Sequence, residues 1–386
     1  MTIWSYMMPY LIEYDKLKTI AGVLLRGLGY NRRQASITAD SLTEADARHI
    51  SSHGVALINA YSKIIEFGGI KLNAEKPRAV FETAKSLLLD GHSGAGHSIA
   101  DFAVKKTIKK AKRSGICITA VRNANHYGFA GFWTEQIAKE GLIGISATNT
   151  MRCVCPTRSA ERNLGTNPIS VAFPLLEDDR FFLLDMATSV IAQGKLCKSK
   201  IFESSGIVPP DMVINGIGEQ ITDFKDALSV LVTGDAKRDE PYGHEGGLLP
   251  LGGQTEMHGG HKGYALALLV EMLTGGLSGG KPSKFIASSR AGISFFFAAF
   301  SPSLFGENGA VLGHLKYIIG EYRKSVPLNP DLPVLIPGDK EYAYRQKSFE
   351  EGISISDTII NDLLETARVV GKERKIRAAL CEKKKK

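Results

Sequence analysis

Asp90-Gly91-His92-Ser93-Gly94-Ala95-Gly96 stands between a short apolar run, residues 86–89, and a stretch of helical spacing, residues 99–113. A glycine-rich turn in that setting invites the phosphate loop of a dinucleotide-binding βαβ unit. Two features argue against it. The glycine spacing is reversed from the G-x-G-x-x-G order. No acidic residue closes a second strand about 20 residues further on, where a ribose hydroxyl would need one. Downstream the strands do not alternate cleanly with helices, so a parallel doubly wound sheet is not compelled.

Working outward, Leu17, Ile20, Leu24 and Leu25 recur at helical spacing, and a polar break at Gly29-Tyr30-Asn31 separates this helix from a second ending at Ala47. A third helix follows Ser51-Ser52-His53-Gly54, with Val55, Ile58, Tyr61, Ile64 and Ile65 on one face, and ends at Gly68-Gly69. From about residue 76 to 300 the pattern is mixed. Strands are predicted at 79–83, 86–89, 115–121, 143–147, 169–174, 181–185 and 293–300, and helices at 99–113, 131–140 and 264–274. Residues 205–260 are Gly-rich and poorly periodic and read as loops around a site. Helix returns at 305–325 and 356–370.

With 386 residues, 44% of them hydrophobic, the chain can bury one large core or two. No apolar run reaches the roughly 18–20 residues that span a bilayer, and the start, Met1-Thr2-Ile3-Trp4-Ser5-Tyr6, lacks the pattern of a signal peptide. Cys117, Cys153, Cys155, Cys197 and Cys381 are odd in number and scattered, and Cys153-Val154-Cys155 is too tight for a Cys-x-x-Cys knuckle. Free thiols in a reducing, cytoplasmic compartment fit best. The net charge of +8 gathers between Lys105 and Arg113 and in the last four lysines, Lys383 to Lys386, with no aromatic residues interleaved. Neither nucleic acid nor a membrane is an expected partner.

Three runs carry histidine beside glycine: Ser52-His53-Gly54, Asn125-His126-Tyr127-Gly128 and His261-Lys262-Gly263-Tyr264. Histidine is the side chain whose unperturbed pKa lies nearest neutral pH, so it exchanges protons with little tuning. A lone His53 would read as a cap on the helix starting at Gly54, yet Ser52 can hydrogen-bond its ring and set the tautomer. His126 lies at a strand–helix junction, whose backbone N–H groups suit an anion. His261 and Lys262 open a helix, where free N–H groups and the lysine charge suit a phosphate. Asp185 ends a strand and has an ordinary reading as the cap of the turn that follows.

Together with Leu164-Gly165-Thr166-Asn167-Pro168 and Leu184-Asp185-Met186-Ala187-Thr188-Ser189, this ordered set resembles the malate/L-lactate dehydrogenase family that lacks a Rossmann fold. The resemblance runs from about Leu11 to about Gly371. It implies an α/β (α+β) protein with a predominantly antiparallel, non-Rossmann cofactor-binding sheet and a helical domain formed by both chain ends. The helical and dimerisation domain is expected at 1–75 and 301–386, the NAD(P)-binding domain at 76–300, and the assembly as a homodimer. The implied activity is NAD- or NADP-dependent interconversion of a 2-hydroxy acid and a 2-oxo acid, of malate/lactate type or with a bulkier hydroxycarboxylate. By resemblance His53 donates the proton to the substrate oxygen with Ser52 as relay, while in some members the histidine matching His126 has that role. His126, Gly128, Ala130, Thr150, Leu184, Asp185, Met186, His261, Lys262, Gly338 and Asp339 match cofactor-binding positions. Thr166, Gln193 and Arg48 fall to the substrate. The run Asp90–Gly96 becomes a structural turn.

Departures bear on the substrate. Many members carry an arginine four residues after the first histidine, where this chain has Leu57, and a leucine cannot fork onto a carboxylate. Arg48, Arg152 and Arg158 are candidates to replace it. Pro156-Thr157-Arg158-Ser159 stands where the family usually has Pro-Phe-Gly-Gly. Lys195, counted with the catalytic group, matches a position where some members have an aspartate that relays protons. A cation there favours an oxo acid over a cyclic imine such as piperideine-2-carboxylate, the alternative within the same fold. A second class, a nucleotide-binding relative without turnover, is motivated by the departures and opposed by the intact Ser52-His53 and His261-Lys262. A third, a metal-dependent hydrolase on His92, His97, His126, His244, His258 and His261, lacks any H-x-E-x-H or H-E-x-x-H pattern, so no metal is expected.

Overall fold

A computed structural model describes residues 10–175, 180–197, 199–233, 245–286 and 292–381. The first residues, His244 and Lys383 to Lys386, on which some expectations above fall, lie outside the described residues. The chain opens with β1 (Tyr10–Ile12), α1 (Tyr14–Gly27), α2 (Arg32–Ala47) and α3 (Leu57–Glu66). Next come β2 (Arg78–Glu82), β3 (Ser86–Asp90), α4 (Gly96–Ser114), β4 (Ile116–Ala124), α5 (Ala130–Ala138), β5 (Ile143–Thr148), β6 (Ile169–Pro174) and β7 (Phe181–Met186). Shorter elements follow: α6 (Gln193–Cys197), α7 (Lys200–Ser205), β8 (Val213–Ile214), α8 (Phe224–Thr233) and β9 (Gly247–Leu248). The remainder is α9 (Gly260–Glu271), β10 (Ile293–Phe300), α10 (Asn308–Arg323), α11 (Asp339–Glu351), β11 (Ile353–Ile355), α12 (Asp357–Val369) and α13 (Glu373–Cys381).

One compact unit joins the residues up to Glu66 with those from Asp339 on, so both chain ends build the helical domain. The stripe Leu17, Ile20, Leu24 and Leu25 is buried along α1. Asn31 starts α2 with a capping box: its side chain accepts the Gln34 N–H, and Gln34 Oε1 accepts the Asn31 N–H, each at 2.9 Å. β1 pairs antiparallel with β11, and Ser348 Oγ donates to Ala47 O at 2.8 Å. α11 and α13 were not expected.

The second unit, residues Phe67–Gly338, is built on a seven-stranded sheet of order β2-β3-β4-β10-β5-β6-β7. Among its described pairs only β3–β4, joined through α4, is parallel. The sheet is therefore mostly antiparallel, with β10 inserted between β4 and β5. Phe295 and Phe297 of β10 are fully buried, and Phe295 stacks on Tyr127 at 4.4 Å between ring centroids. Tyr127 keeps its hydroxyl satisfied through Ser146 Oγ at 3.0 Å.

The glycine-rich run after β3 is a braced turn. The Asp90 carboxylate accepts the His92 N–H (3.0 Å), Asn123 Nδ2 (2.8 Å) and Arg122 Nε (3.1 Å). Its acceptor groups are turned inward on the chain itself.

One expectation is corrected. Residues 205–260 are not all loop: α8 forms there because Phe224, Ala227 and Leu231, one face of a helix, pack on Val208, Val213 and Leu248. The compact units divide after Glu66 and after Gly338. Lys71 N donates to Ser93 O, in the turn after β3, at 2.8 Å, and Leu183 N of β7 to Pro337 O at 3.0 Å. Among the described residues no helix is long and apolar enough to cross a membrane.

Phe297→Ala should cost about 3–5 kcal/mol, read from the urea midpoint, because the ring leaves a cavity in the centre of the sheet unit. Phe81→Ala, on an exposed edge-strand side chain, should stay within about 0.5 kcal/mol.

Candidate functional site

In the helical unit the chain leaves α2 and forms a single tight turn, Ser51–His53, before α3. Ser52 Oγ lies 2.9 Å from His53 Nδ1, and His53 N donates to Ile50 O at 2.9 Å. In the tautomer in which Ser52 donates to Nδ1, the imidazole carries its proton on Nε2 and that N–H is a donor. Beneath the turn sits Asp46, 4% exposed, whose Oδ2 accepts the Val55 N–H at 2.8 Å. A Cβ on Gly54 would fall 1.8 Å from Asp46 Oδ1, so only glycine passes over the carboxylate. The glycine after His53 is thus what lets the turn pass close to the buried acid. Leu57, the first residue of α3, is half-buried.

Arg48 is buried and engaged by Glu44, whose Oε1 receives Arg48 Nε at 2.8 Å and Nη2 at 2.7 Å. Arg345 from α11 reaches the same oxygen, and Tyr14 donates its hydroxyl to Oε2 at 3.1 Å. Burial works against charge on Glu44, but the Arg48 and Arg345 guanidiniums outweigh it and hold the carboxyl below its ordinary range.

In the sheet unit, hydrogen bonds connect several expected site residues. Thr166 N donates to Thr150 Oγ1 at 3.1 Å. Thr188 N donates to Thr166 O at 2.9 Å, and Leu251 N to Thr188 O at 2.9 Å. Leu251 in turn packs under Gly263 in the first turn of α9, where His261 and Lys262 are exposed. Behind the two threonines lies a buried polar cluster of Asn149, Asn167, Ser283 and Glu271. None of these four was singled out from the sequence, although Glu271 is an isolated acid in an otherwise apolar helical run, which is a legible signal.

His126 follows β4 and precedes α5; the Gly128 N–H points to its Nδ1 at 3.4 Å. The Asn125 side-chain amide pins this loop through the carbonyls of Gly69, Ser93 and Gly94 at 3.1, 3.0 and 2.9 Å. Asp185, at the end of β7 between Leu184 and Met186, accepts the Gly131 N–H at 3.0 Å and so caps α5, which opens at Ala130. Gly338 closes the sheet unit and Asp339 begins α11 of the other. Gln193 and Lys195 are on the short α6, with Lys195 exposed. Arg158 is exposed and paired with Glu256 at 2.5 Å beside a cavity of about 500 Å³ that Pro156, Thr157, Ile217 and Leu249 also line. Among the described residues no three His, Cys, Asp or Glu side chains are placed to hold a metal ion.

A family model described as malate/L-lactate dehydrogenase matches residues 12–364. The chain belongs to that family. Malate dehydrogenase of Pyrococcus abyssi is 38% identical over 365 residues, 93% of this chain and 95% of that protein. L-sulfolactate dehydrogenase of Methanocaldococcus jannaschii is 32% identical over 355 residues, 90% of this chain and 94% of that protein. The crystal structure of malate dehydrogenase from Entamoeba histolytica aligns with a TM-score of 0.86 at 28% identity, covering 94% of this chain and 98% of that one. The stretch that the family model matches runs from the end of β1 into α12 and so takes in both units.

The Glu44 cluster carries a pH signature. A carboxyl whose folded pKa is depressed stabilises above its unfolded value of about 4.3 and loses that contribution as pH falls toward the folded value. Glu44→Gln should cost about 3 kcal/mol at neutral pH, because two guanidiniums lose their partner. The gap to the parent, followed by denaturant titration at several pH values, should narrow below about pH 4.

Proposed function

We propose that this chain interconverts a 2-hydroxy acid and a 2-oxo acid with NAD or NADP as hydride carrier, and that His53 exchanges the proton at the substrate oxygen. Family membership makes it an oxidoreductase of the hydroxyacid dehydrogenase type. The observation that carries the finer reading is the Ser52–His53 pair at 2.9 Å, in a turn whose next residue, Gly54, passes against the buried Asp46 carboxylate that accepts the Val55 N–H. An Nε2–H fixed by a neighbouring hydroxyl is the form needed to protonate a carbonyl oxygen, and the same nitrogen takes the proton back in oxidation.

The residues present fit a nicotinamide dinucleotide. The exposed His261 and Lys262 at the start of the twelve-residue α9 combine a cation, an imidazole and the positive end of a helix, the donor set a diphosphate requires. His126, Gly128, Ala130, Thr150, Leu184, Asp185, Met186, Gly338 and Asp339 are proposed as the remaining contacts. The bound cofactor supplies hydride transfer to or from substrate C2. Thr166 orients the substrate through its hydroxyl, Lys195 supplies a charge for the carboxylate, and Gln193 and Arg48 complete the proposed substrate side. Malate and sulfolactate, named for two relatives, both pair a 2-hydroxy carboxylate with a second acidic group, so dianionic oxo acids head the substrate class.

The cytoplasmic homodimer belongs to the same proposal. Support comes from α10, whose one buried side chain is Leu312, and from the arm after it, where Val326, Leu328, Leu332 and Leu335 are exposed. An ordered arm with that many apolar side chains in water calls for cover, and light scattering should give twice the mass of one chain.

Absorbance at 340 nm should fall when the protein is mixed with NADH or NADPH and one of oxaloacetate, pyruvate, 2-oxoglutarate or phenylpyruvate. His53→Ala should then lower kcat by about 10²–10⁴-fold while nucleotide binding, followed by fluorescence, is retained. A near-normal rate in that variant would transfer the proton-exchanging role to His126.

A further inference from the structure

We propose that Glu271 is a positioning residue for the reaction: its buried carboxylate sets the two segments that carry Thr150 and Thr166 and ties them to the helix that begins with His261 and Lys262. This rests on the function proposed above. Glu271 ends α9 and is 5% exposed. Its Oε1 accepts Asn167 Nδ2 at 2.8 Å and the Ser283 hydroxyl; its Oε2 accepts Ser283 N at 3.2 Å and Asn149 Nδ2 at 3.4 Å. All four donors are uncharged. Among the described residues no cation pairs with this carboxylate, so the usual partner of a buried acid is replaced by a shell of amides and a hydroxyl.

Each donor is itself fixed elsewhere. Asn149 Oδ1 accepts the Ser294 N–H of β10 at 2.8 Å, and its Nδ2 donates to Lys281 O at 2.8 Å. Asn167 Nδ2 also donates to Ala267 O at 3.1 Å, one helical turn before Glu271. Asn167 Oδ1 accepts the Thr150 N–H at 3.3 Å and the Ser283 hydroxyl at 3.2 Å. Thr150 Oγ1 then accepts the Thr166 N–H at 3.1 Å, and a Cβ on the intervening Gly165 would fall 2.1 Å from that same oxygen. The carboxylate is therefore one side chain away from Thr150 and two from Thr166.

Two further features point the same way. Asn167 has φ +36°, a left-handed conformation that a non-glycine residue holds when its surroundings over-determine it, and it adjoins Thr166. The helix changes from α to a π turn, Met272–Gly276, directly after Glu271, an irregularity that occurs often at functional sites. His261 and Glu271 lie ten residues apart on one rigid helix, about 15 Å. Altering the Glu271 side chain changes its bonds to Asn167 and Asn149, and through them the threonines, without moving the helix, whose start is held by the Gly260 N–H to Thr255 O bond at 2.9 Å.

Glu271→Gln separates the roles. The amide keeps the shape but turns one acceptor into a donor that faces donors. With the wild-type enzyme first shown to turn over an oxo acid, this variant should raise KM for that acid about ten-fold or more and lower kcat/KM further, while NADH or NADPH binding, which Thr150 shares with several other contacts, weakens by a clearly smaller factor. An unchanged KM in a folded variant overturns the proposal, as does an equal loss of nucleotide and substrate binding, which marks a general structural role. If Glu271→Gln does not fold, Ser283→Ala removes one hydroxyl from Glu271 and Asn167 without burying a new group. It should raise KM for the oxo acid in the same direction, and an unchanged KM there overturns the proposal too. Silence of the wild-type enzyme toward every oxo acid is a different result, and counts against the proposed function itself.

Discussion

The two-sided pairing of β10 holds the sheet unit together. β4 and β5 do not bond to each other; each bonds antiparallel to β10, which arrives about 145 residues after β5 in the chain. Without it the sheet falls into β2-β3-β4 and β5-β6-β7, each with a bare inner edge of unpaired backbone groups. The same strand sets the start of the loop that carries Thr150. Phe295 lies opposite Val121 and Thr148, and Ser294 beside it fixes Asn149 through both backbone groups. The loop bearing Thr150 thus starts from a point set by the middle of the sheet.

Two carboxylates are taken out of water in different ways. Glu44 is met by two guanidiniums and a phenol, an arrangement whose attraction offsets the desolvation of its charges. Glu271 is met by four neutral donors. Neutral donors come from backbone and short side chains with few rotamers, so the geometry they impose is narrower than that of a flexible arginine. Where atoms of the proposed substrate side must be held to a fraction of an ångström, the second arrangement is the more useful one.

Much of the fold was legible because burial leaves a period in the sequence. The stripe of α1, the continuous apolar run of β10 and the strands of the sheet were readable from hydrophobic spacing. α11 was not, since it is polar along its length with Ser348 as its buried residue, and a helix without an apolar face gives no periodic signal. α8 was masked by glycine-rich flanks, although Phe224, Ala227 and Leu231 carry its period. In the site, the histidines stood out by type, while Asp46 and the Asn149–Asn167–Glu271 cluster did not. Their partners come from distant segments, and no local pattern records a hydrogen bond across 100 residues.

The helical unit has a consequence for the chain's own synthesis. α1 and α3 leave the ribosome early, but α12, which packs on both, and Ser348, which bonds to Ala47 across 301 positions, are made near the end. At about 5–20 residues per second the first helices wait on the order of 15–60 s for the surface that covers them. During that interval Leu17, Ile20, Leu24 and Leu25 have no permanent cover from the C-terminal helices. The nascent chain is then a natural client for a holding chaperone, and a shortage of such helpers would reach this unit before the sheet.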